Sequence, residues 1–183
     1  MIKLVLLAAA LAAAPSSIDI VQNRFHKLEV GAYPPGSRVP IYLRDLNPYL
    51  NSVVQLSVPS GLRNIHLETG IDNIIRGTAD IDFVKIRQAR GEKPGWLMSE
   101  LLGGERPVEI TARLTSAHCV AKVKVLKVSI SGVVAEGRTL DFLITTFVIP
   151  NFPDAKIDTD FRLAYNIDHF DIRPGVVTVV LGR

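Results

Sequence analysis

The segment Asp168-His169-Phe170-Asp171 holds the most chemically suggestive group of side chains in the sequence. A carboxylate beside a histidine can tune the imidazole as a general base or complete a metal site. Neighbouring side chains point to opposite faces of a β-strand, however, so Asp168 and His169 would diverge if the segment were extended. We therefore interpret the segment as surface polar residues near a turn. A hydrolase would need Asp168 or His169 to converge with another polar group in a cleft.

Two carboxylates at strand spacing, Asp80 and Asp82, form a second candidate site. Residues i and i+2 share one face of a strand, and a pair of carboxylates on one face is what a divalent metal or glycosyl transfer requires. The same pattern also marks the solvated side of a half-buried strand. We adopt this second interpretation.

Other residues capable of chemistry lack the spacing that a site needs. Ser129 and Ser131 do not lie in a Gly-x-Ser-x-Gly turn, and no Lys-Ser/Thr pair follows Gly103-Gly104. No metal-ligand spacing connects the remaining histidines, which are His26, His66 and His118. The sequence therefore predicts a protein that is not an enzyme and that uses no metal or other cofactor.

The composition predicts a packed globular domain. Hydrophobic residues make up 48% of the chain and charged residues 21%, which is typical of a folded protein rather than a disordered one. The net charge is +3 and the basic residues are scattered, so no nucleic-acid-binding surface is indicated. The single cysteine, Cys119, lies in an apolar strand pattern, which predicts a buried, unreactive thiol and no internal disulfide.

The beginning of the sequence has the pattern of a secretory signal peptide. Lys3 supplies a positive charge, an apolar run extends from Leu4 to Ala14, and the polar Ser16 follows. The run is shorter than the ~20 residues of a membrane-spanning helix, although a buried N-terminal helix is an alternative. We predict a signal peptide at residues 1–16, a single domain at residues 17–183, and a periplasmic or secreted protein without a transmembrane anchor.

Apolar residues at helical spacing predict four helices. Ile18, Val21, Phe25 and Leu28 recur every three or four residues and predict a first helix that ends near Gly31. Further helices are predicted at residues 43–50, at residues 96–102 and at residues 139–148, where Thr139 is the expected cap.

Alternating apolar and polar residues predict three β-hairpins after an extended segment at residues 39–42. The first pairs residues 65–68 with 79–83. The second pairs residues 108–114 with 121–130 through a turn at 116–118, and the alternation slips at Leu126, which predicts a β-bulge. The third pairs residues 157–165 with 176–181 through a turn at 173–175.

These elements predict an α+β fold with a curved antiparallel sheet of about six strands in hairpins and short helices packed on one face. The helix at residues 139–148 is the best candidate to lie across the sheet. The space between them is either filled by side chains or left as a cavity for an apolar ligand, and the sequence leaves both open. The residues predicted to line such a cavity are Phe83, Val123, Leu143, Phe147, Phe161 and Leu163.

The order of elements resembles that of a group of bacterial envelope proteins. The resemblance rests on the export signal, on the helix with the Leu46-Asn47 pair, and on the passage from the late helix through Pro150 to a strand. It points to the LmeA-like and YpmS-like families, which are similar to tubular lipid-binding (TULIP-type) domains. The resemblance implies a long helix wrapped by a bent sheet with a groove for lipid, and it assigns no binding residue in this sequence.

Three functions follow from these observations as expectations. The first is a non-enzymatic exported protein that binds an apolar or lipid-like ligand in the cell envelope. The second is a structural or protein-interaction module of the envelope with a filled core, which would show an exposed apolar patch. The third is the hydrolase described above. The expected partners are therefore an apolar ligand or an envelope protein, and not a nucleic acid.

Overall fold

The protein is described by a computed structural model over residues 15–57, 61–89, 91, 103–145 and 157–183. The elements, in chain order, are α1 (Ser17–Glu29), β1 (Arg38–Tyr42), α2 (Leu43–Ser57), β2 (Leu62–Thr69), β3 (Ile74–Ile81), α3 (Phe83–Ala89), β4 (Arg106–Ala117), β5 (Val120–Ile130), β6 (Val133–Ala135), α4 (Gly137–Leu143), β7 (Asp160–Arg162), β8 (Ile167–Arg173) and β9 (Val176–Leu181). The predicted leader up to residue 14 and the predicted helix at residues 96–102 lie outside the described residues.

Helix α1 forms where the sequence predicts a first helix. Its N-terminus carries a capping box in which the Ser16 hydroxyl accepts a hydrogen bond from the Asp19 amide and the Asp19 carboxylate accepts one from the Ser16 amide. The helix ends at Glu29, and Gly31 follows with a φ of 65°, a conformation that glycine adopts without strain. Val21 and Leu28 are its buried residues.

A six-stranded antiparallel sheet confirms the predicted α+β class. Strands β2, β3, β4, β5 and β6 follow one another in that order, and β7 pairs with β5. β6 pairs with the C-terminal part of β5 and β7 with its N-terminal part, so both lie at the same edge. Thr111 pairs with Lys127 and Ala112 with Val125, which leaves Leu126 as the extra residue and confirms the predicted β-bulge.

A separate three-stranded sheet, with the order β1-β9-β8, is absent from the sequence prediction. The predicted strand at residues 157–165 is formed only at β7, and the strand that pairs with β9 is β8 instead. The reason lies at Tyr165 and Asn166, whose φ angles of 55° and 56° turn the chain between β7 and β8. The predicted turn before β9 is confirmed, with Gly175 at a φ of 79°.

The end of β3 corrects the interpretation of Asp82 and Phe83. The strand ends at Ile81, and Phe83 is the first residue of α3 rather than a strand residue on an inner face. Asp82 is only 5% exposed, and its Oδ1 accepts a hydrogen bond of 3.0 Å from the Lys85 amide. Because this carboxylate caps a helix, Asp80 and Asp82 do not share a solvated strand face.

Cys119 also differs from its prediction. It lies in the two-residue turn between β4 and β5 rather than in a strand, and His118 and Cys119 have φ angles of 51° and 61°. These positive angles match the turn type that joins two strands with the native twist. The Cys119 amide donates to the Asp168 carbonyl at 2.9 Å, so this turn is fixed against β8.

Two helices differ in length from their predictions. α2 begins at Leu43 as expected but continues to Ser57, with Pro48 inside it. α4 begins at Gly137, before the expected cap Thr139, and its N-cap is Glu136. The part of the predicted helix from residue 146 onwards lies outside the described residues. Among the helices that the structure describes, none has the length and apolarity to cross a bilayer.

The hydrophobic core lies between α1, α2 and the three-stranded sheet. Its buried members are Leu28, Val39, Ile41, Ile167, Val179 and Leu181. Partly buried side chains pack against them, and these are Phe25, Tyr33, Leu46, Leu163 and Phe170. Helices therefore cover the small sheet, and this packing sets the position of the cleft described next.

Candidate functional site

An apolar cleft of about 390 Å³ lies where the two helices, the three-stranded sheet and the first hairpin of the six-stranded sheet meet. The residues that line it are Phe25, Leu28, Glu29, Ile41, Leu46, Leu67, Ile75, Tyr165, Ile167, Phe170, Val177 and Val179. All of them are apolar except Glu29 and Tyr165. A concave site with apolar walls and few polar groups is typical of a small-molecule pocket.

The helical wall is held in place by contacts between α1 and α2. Phe25 and Leu28 lie on the same side of α1 because residues i and i+3 are neighbours on a helix. The ring of Phe25 meets the ring of Tyr49 edge-on, with 5.4 Å between their centroids, a favoured arrangement of aromatic pairs. This contact joins α1 to α2 beside the cleft.

Two asparagines of α2 fasten this helix to the edge strand β2. The Asn47 side chain donates to the Leu67 carbonyl at 3.1 Å and accepts from the Leu67 amide at 2.8 Å. The Asn51 side chain makes the same pair of bonds with Ile65, at 2.7 and 2.9 Å. Each side-chain amide thus bonds to the backbone amide and carbonyl that a further strand would otherwise pair with at this edge of the sheet.

The spacing of these asparagines explains why the contact works. Residues i and i+4 of a helix are about 6 Å apart along the axis, and residues i and i+2 of a strand are about 6.6–6.8 Å apart. Asn47 and Asn51 therefore match Leu67 and Ile65 almost in register. The Leu67 side chain lines the cleft, so this asparagine clamp also positions part of the cleft wall.

Thr69 joins the two sheets at the other side of the cleft. Its buried hydroxyl donates to the Arg173 carbonyl at 2.6 Å and accepts from the Gly175 amide at 3.0 Å. The Gly175 carbonyl in turn accepts from the Leu43 amide at 2.9 Å. One side chain at the end of β2 thereby fixes the β8–β9 turn and, through it, the start of α2.

The cleft is continuous with the apolar side of the six-stranded sheet. Ile75, which lines the cleft, pairs with Ala112, and Ala112 pairs with Val125. Directly paired residues of antiparallel strands point to the same face. The apolar lining of the cleft therefore leads onto a row of apolar residues that crosses β3, β4 and β5.

The two polar lining residues are exposed. Glu29 is the last residue of α1, and Tyr165 is 55% exposed at the turn before β8. Its positive φ is uncommon for a bulky residue. The Gly182 amide donates to the Asn166 carbonyl at 2.8 Å, so this turn is tied to the chain after β9. Only the carbon atoms of Glu29 and Tyr165 line the cleft.

Four of the six residues predicted to line a cavity have described side chains, and none of these four is among the described residues of this cleft. Leu163 lies nearest, packed against the core that forms its walls. Val123 and Phe161 lie on β5 and β7, where Phe161 pairs with Ala121. Phe83 begins α3. Leu143 ends α4, with its side chain outside the described part, and Phe147 lies wholly outside the described residues.

The sequence does not predict which residues line the cleft, because the elements that form it come from distant parts of the chain. Phe25 and Leu28 were visible as one side of a helix, and Val177 and Val179 alternate in the last strand. Nothing in that local periodicity shows that α1 and β9 lie against each other. The repeated apolar positions were the only available signal, and they are equally typical of a filled core.

Asp168 and His169 come together, contrary to the expected divergence. The register shifts between Ile167 and His169, so Asp168 is the extra residue of a β-bulge, which re-aims side chains. The His169 Nδ1 and the Asp168 Oδ2 are 2.6 Å apart, and both side chains are partly exposed. The segment lies in strand β8, close to the turn at Tyr165 and Asn166.

No further reactive group joins this pair among the residues that the structure describes. The nearby Ser116 hydroxyl accepts a hydrogen bond of 2.8 Å from the Phe170 amide. Within the described part of the chain, Asp168 is the one side chain that forms a hydrogen bond or ion pair with His169. Within the described ranges, no three His, Cys, Asp or Glu side chains are placed to hold a metal ion. The cleft, not this pair, is therefore the better candidate site.

The resemblance to the LmeA-like and YpmS-like families stays a prediction. No protein-family model, no curated protein and no solved structure matches this chain.

Proposed function

We propose that the protein is a non-enzymatic exported protein that binds an apolar or lipid-like ligand in the cell envelope. The observation that carries the proposal is the cleft of about 390 Å³, whose lining is apolar apart from Glu29 and Tyr165. Pockets that bind small molecules are typically about 300–1,000 Å³ and mostly apolar. The export component rests on the signal-peptide pattern of residues 1–16.

Burial of apolar ligand surface supplies the binding free energy. Each Å² of apolar surface removed from water contributes roughly 25 cal/mol. The asparagine clamp and Thr69 hold the surrounding elements before a ligand arrives, so little ordering cost opposes binding. A carrier needs no catalytic group, and the described lining of the cleft contains no serine, threonine, cysteine, lysine or histidine.

A pair of matched variants tests this proposal. Ile75→Trp adds bulk inside the cleft, whereas Ile71→Trp makes the same change at a residue of the preceding turn that is 74% exposed. Binding is measured by native mass spectrometry, by lipid extraction of the purified protein, and by the fluorescence of a neutral naphthylamine dye.

We expect the unchanged protein and Ile71→Trp to bind dye or carry extractable lipid. Ile75→Trp is expected to weaken dye binding about tenfold or more, because the larger side chain occupies space that the dye needs. A tenfold loss of affinity corresponds to ~1.4 kcal/mol of binding free energy. Circular dichroism and denaturation of each variant separate lost binding from lost folding. A folded protein that neither carries lipid nor takes up dye contradicts the proposal.

A second candidate, a protein-interaction module, is favoured by strand β6. Val133 is 74% exposed on this edge strand and Val134 is 48% exposed. An unpaired edge with exposed apolar side chains can accept a strand from another protein. If the cleft binds nothing, cross-linking of the protein in envelope extracts tests this candidate, with Val133→Lys as the control variant. A partner protein that cross-links to the unchanged protein but not to Val133→Lys supports the candidate.

A further inference from the structure

We infer that the protein docks on the surface of an anionic lipid bilayer through four basic side chains on the polar face of the six-stranded sheet. These residues are Arg113, Lys122, Lys124 and Lys127, and we call them the basic strip. The inference goes beyond the proposed function and does not depend on the cleft.

The pairing of β4 with β5 brings the basic strip together. Arg113 of β4 pairs with Lys124 of β5, and the threonines two positions before and after Arg113 pair with Lys127 and Lys122. Residues i and i+2 of a strand share one face, and so do directly paired residues of antiparallel strands. All four cations therefore point to the same side of the sheet.

The β-bulge in β5 is what puts Lys127 on this side. Lys124 and Lys127 are three positions apart, so in a regular strand their side chains would point to opposite faces. The bulge leaves Leu126 as an extra residue and thereby turns Lys127 to the side of Lys124. Three lysines of one strand thus follow one another on the polar face.

The acidic side chains around the basic strip do not neutralise it. Among the described residues, Asp160 is the one carboxylate that forms an ion pair with the strip, at 3.9 Å from the Lys122 Nζ. Arg113, Lys124 and Lys127 form no ion pair within that part of the chain. Four cations and one carboxylate leave three positive charges on this face.

The pair of Arg113 and Lys124 is unfavourable for the fold. Like charges directly opposite each other on neighbouring strands destabilise a sheet, and both side chains are exposed. Proteins break such local rules mainly at functional sites, where another gain offsets the cost. An anionic surface over this face would remove the repulsion between the two cations.

A bilayer suits the basic strip better than a single bound anion. A discrete phosphate is held by donors that converge on it, whereas these side chains project from the face of a sheet. Lipid head groups move laterally and can gather at each cation, and each basic residue near an anionic membrane strengthens binding roughly fivefold. The apolar row with Ile75 lies on the opposite face of the sheet, so docking leaves the cleft uncovered.

Sedimentation with vesicles tests the inference. Vesicles of phosphatidylcholine alone are compared with vesicles that also contain phosphatidylglycerol, at low and at high salt. We expect the protein to bind the vesicles with phosphatidylglycerol about tenfold or more tightly, and to lose this preference near 1 M salt, where the Debye length falls to about 3 Å. Every variant carries the same N-terminal segment, so any contribution of its apolar run cancels from the comparison.

A double variant locates the binding surface. Lys124→Gln together with Lys127→Gln is expected to weaken binding to the anionic vesicles about 25-fold, which is roughly fivefold for each lysine. The matched control is Lys27→Gln together with Arg138→Gln, which removes the same charge from exposed positions of α1 and α4. The control is expected to bind nearly as well as the unchanged protein.

A charge reversal separates docking from folding. Lys124→Glu places a carboxylate opposite Arg113, and opposite charges in this position stabilise neighbouring strands, so the midpoint of thermal unfolding is expected to stay the same or rise. Vesicle binding is expected to fall about 25-fold, because the change removes one positive charge and adds a negative one. A merely structural role of Lys124 would not move the two measurements in opposite directions.

Three results overturn the inference: equal binding to both kinds of vesicle, binding that salt does not weaken, or equal losses in the double variant and its control. Binding of soluble polyglutamate that depends on Lys124 and Lys127, without binding to vesicles, also overturns it, because the partner is then an acidic protein. Ile75→Trp, which fills the cleft, is expected to bind anionic vesicles like the unchanged protein. Failure of docking is thereby distinguished from failure of ligand binding.

Discussion

The two sheets of the protein bury their apolar residues to different extents. Val39, Ile41 and Val179 of the three-stranded sheet are each less than 5% exposed. On the six-stranded sheet, Val108 and Ala121 are buried, but Ile110 is 40% exposed and most other residues of the apolar side are half-buried. Both sheets are rich in β-branched residues, so composition does not explain the contrast.

Among the described residues, α1 and α2 pack differently on the two sheets. α1 and α2 pack on the three-stranded sheet and complete the core around Leu28 and Ile167. α2 meets the edge strand β2 of the six-stranded sheet through Asn47 and Asn51. The cleft lies at the border between the two regions, beside the well-packed core of the three-stranded sheet.

The largest expected effect is in the core of the three-stranded sheet. Ile41→Ala removes a buried side chain and is expected to lower the free energy of unfolding by about 2–5 kcal/mol. Ile110→Ala makes the same change on the six-stranded sheet at a half-exposed site, and we expect a loss of less than about half of that value because less apolar surface is lost. Urea denaturation of both variants measures the difference, and equal losses contradict the contrast between the sheets.

The asparagine clamp is expected to have an intermediate effect. Asn51→Ala leaves the Ile65 amide and carbonyl without their partner, which costs about 1–3 kcal/mol of unfolding free energy. Asn23→Ala is a matched control, because Asn23 is an exposed residue of helix α1 and alanine slightly favours helix there. Hydrogen exchange gives a specific measurement. We expect the Ile65 amide to exchange faster in Asn51→Ala and at an unchanged rate in Asn23→Ala.

The smallest of these effects is expected at Thr69, which joins the two regions. Thr69→Val removes the hydroxyl but keeps the shape of the side chain, and the two lost hydrogen bonds are expected to cost about 1–2 kcal/mol. Thr115→Val at an exposed position of β4 is expected to change stability by less than about 0.5 kcal/mol. If the variants are equally stable, Thr69 does not hold the β8–β9 turn.

The local elements were largely predictable, and the cleft was not. The helical spacing from Ile18 to Leu28 and the slip at Leu126 are signals carried by a few consecutive residues, and both correspond to observed features. The incorrect predictions concern residues whose type is compatible with two kinds of local structure. Asp82 fits an alternating strand as well as a helix cap, and Cys119 continues an apolar pattern although it lies in a turn.

The sequence by itself determined the α+β class, the first two antiparallel hairpins and the first helix, because periodicity acts between residues only a few positions apart. The tertiary structure alone decided that β1 pairs with β9, that Asp168 and His169 meet at a bulge, and that α1 and α2 leave an apolar cleft beside β2 and β3. These features depend on contacts between distant segments. A periodic pattern indicates which side of a helix or strand is apolar, whereas tertiary packing determines which other element that side contacts.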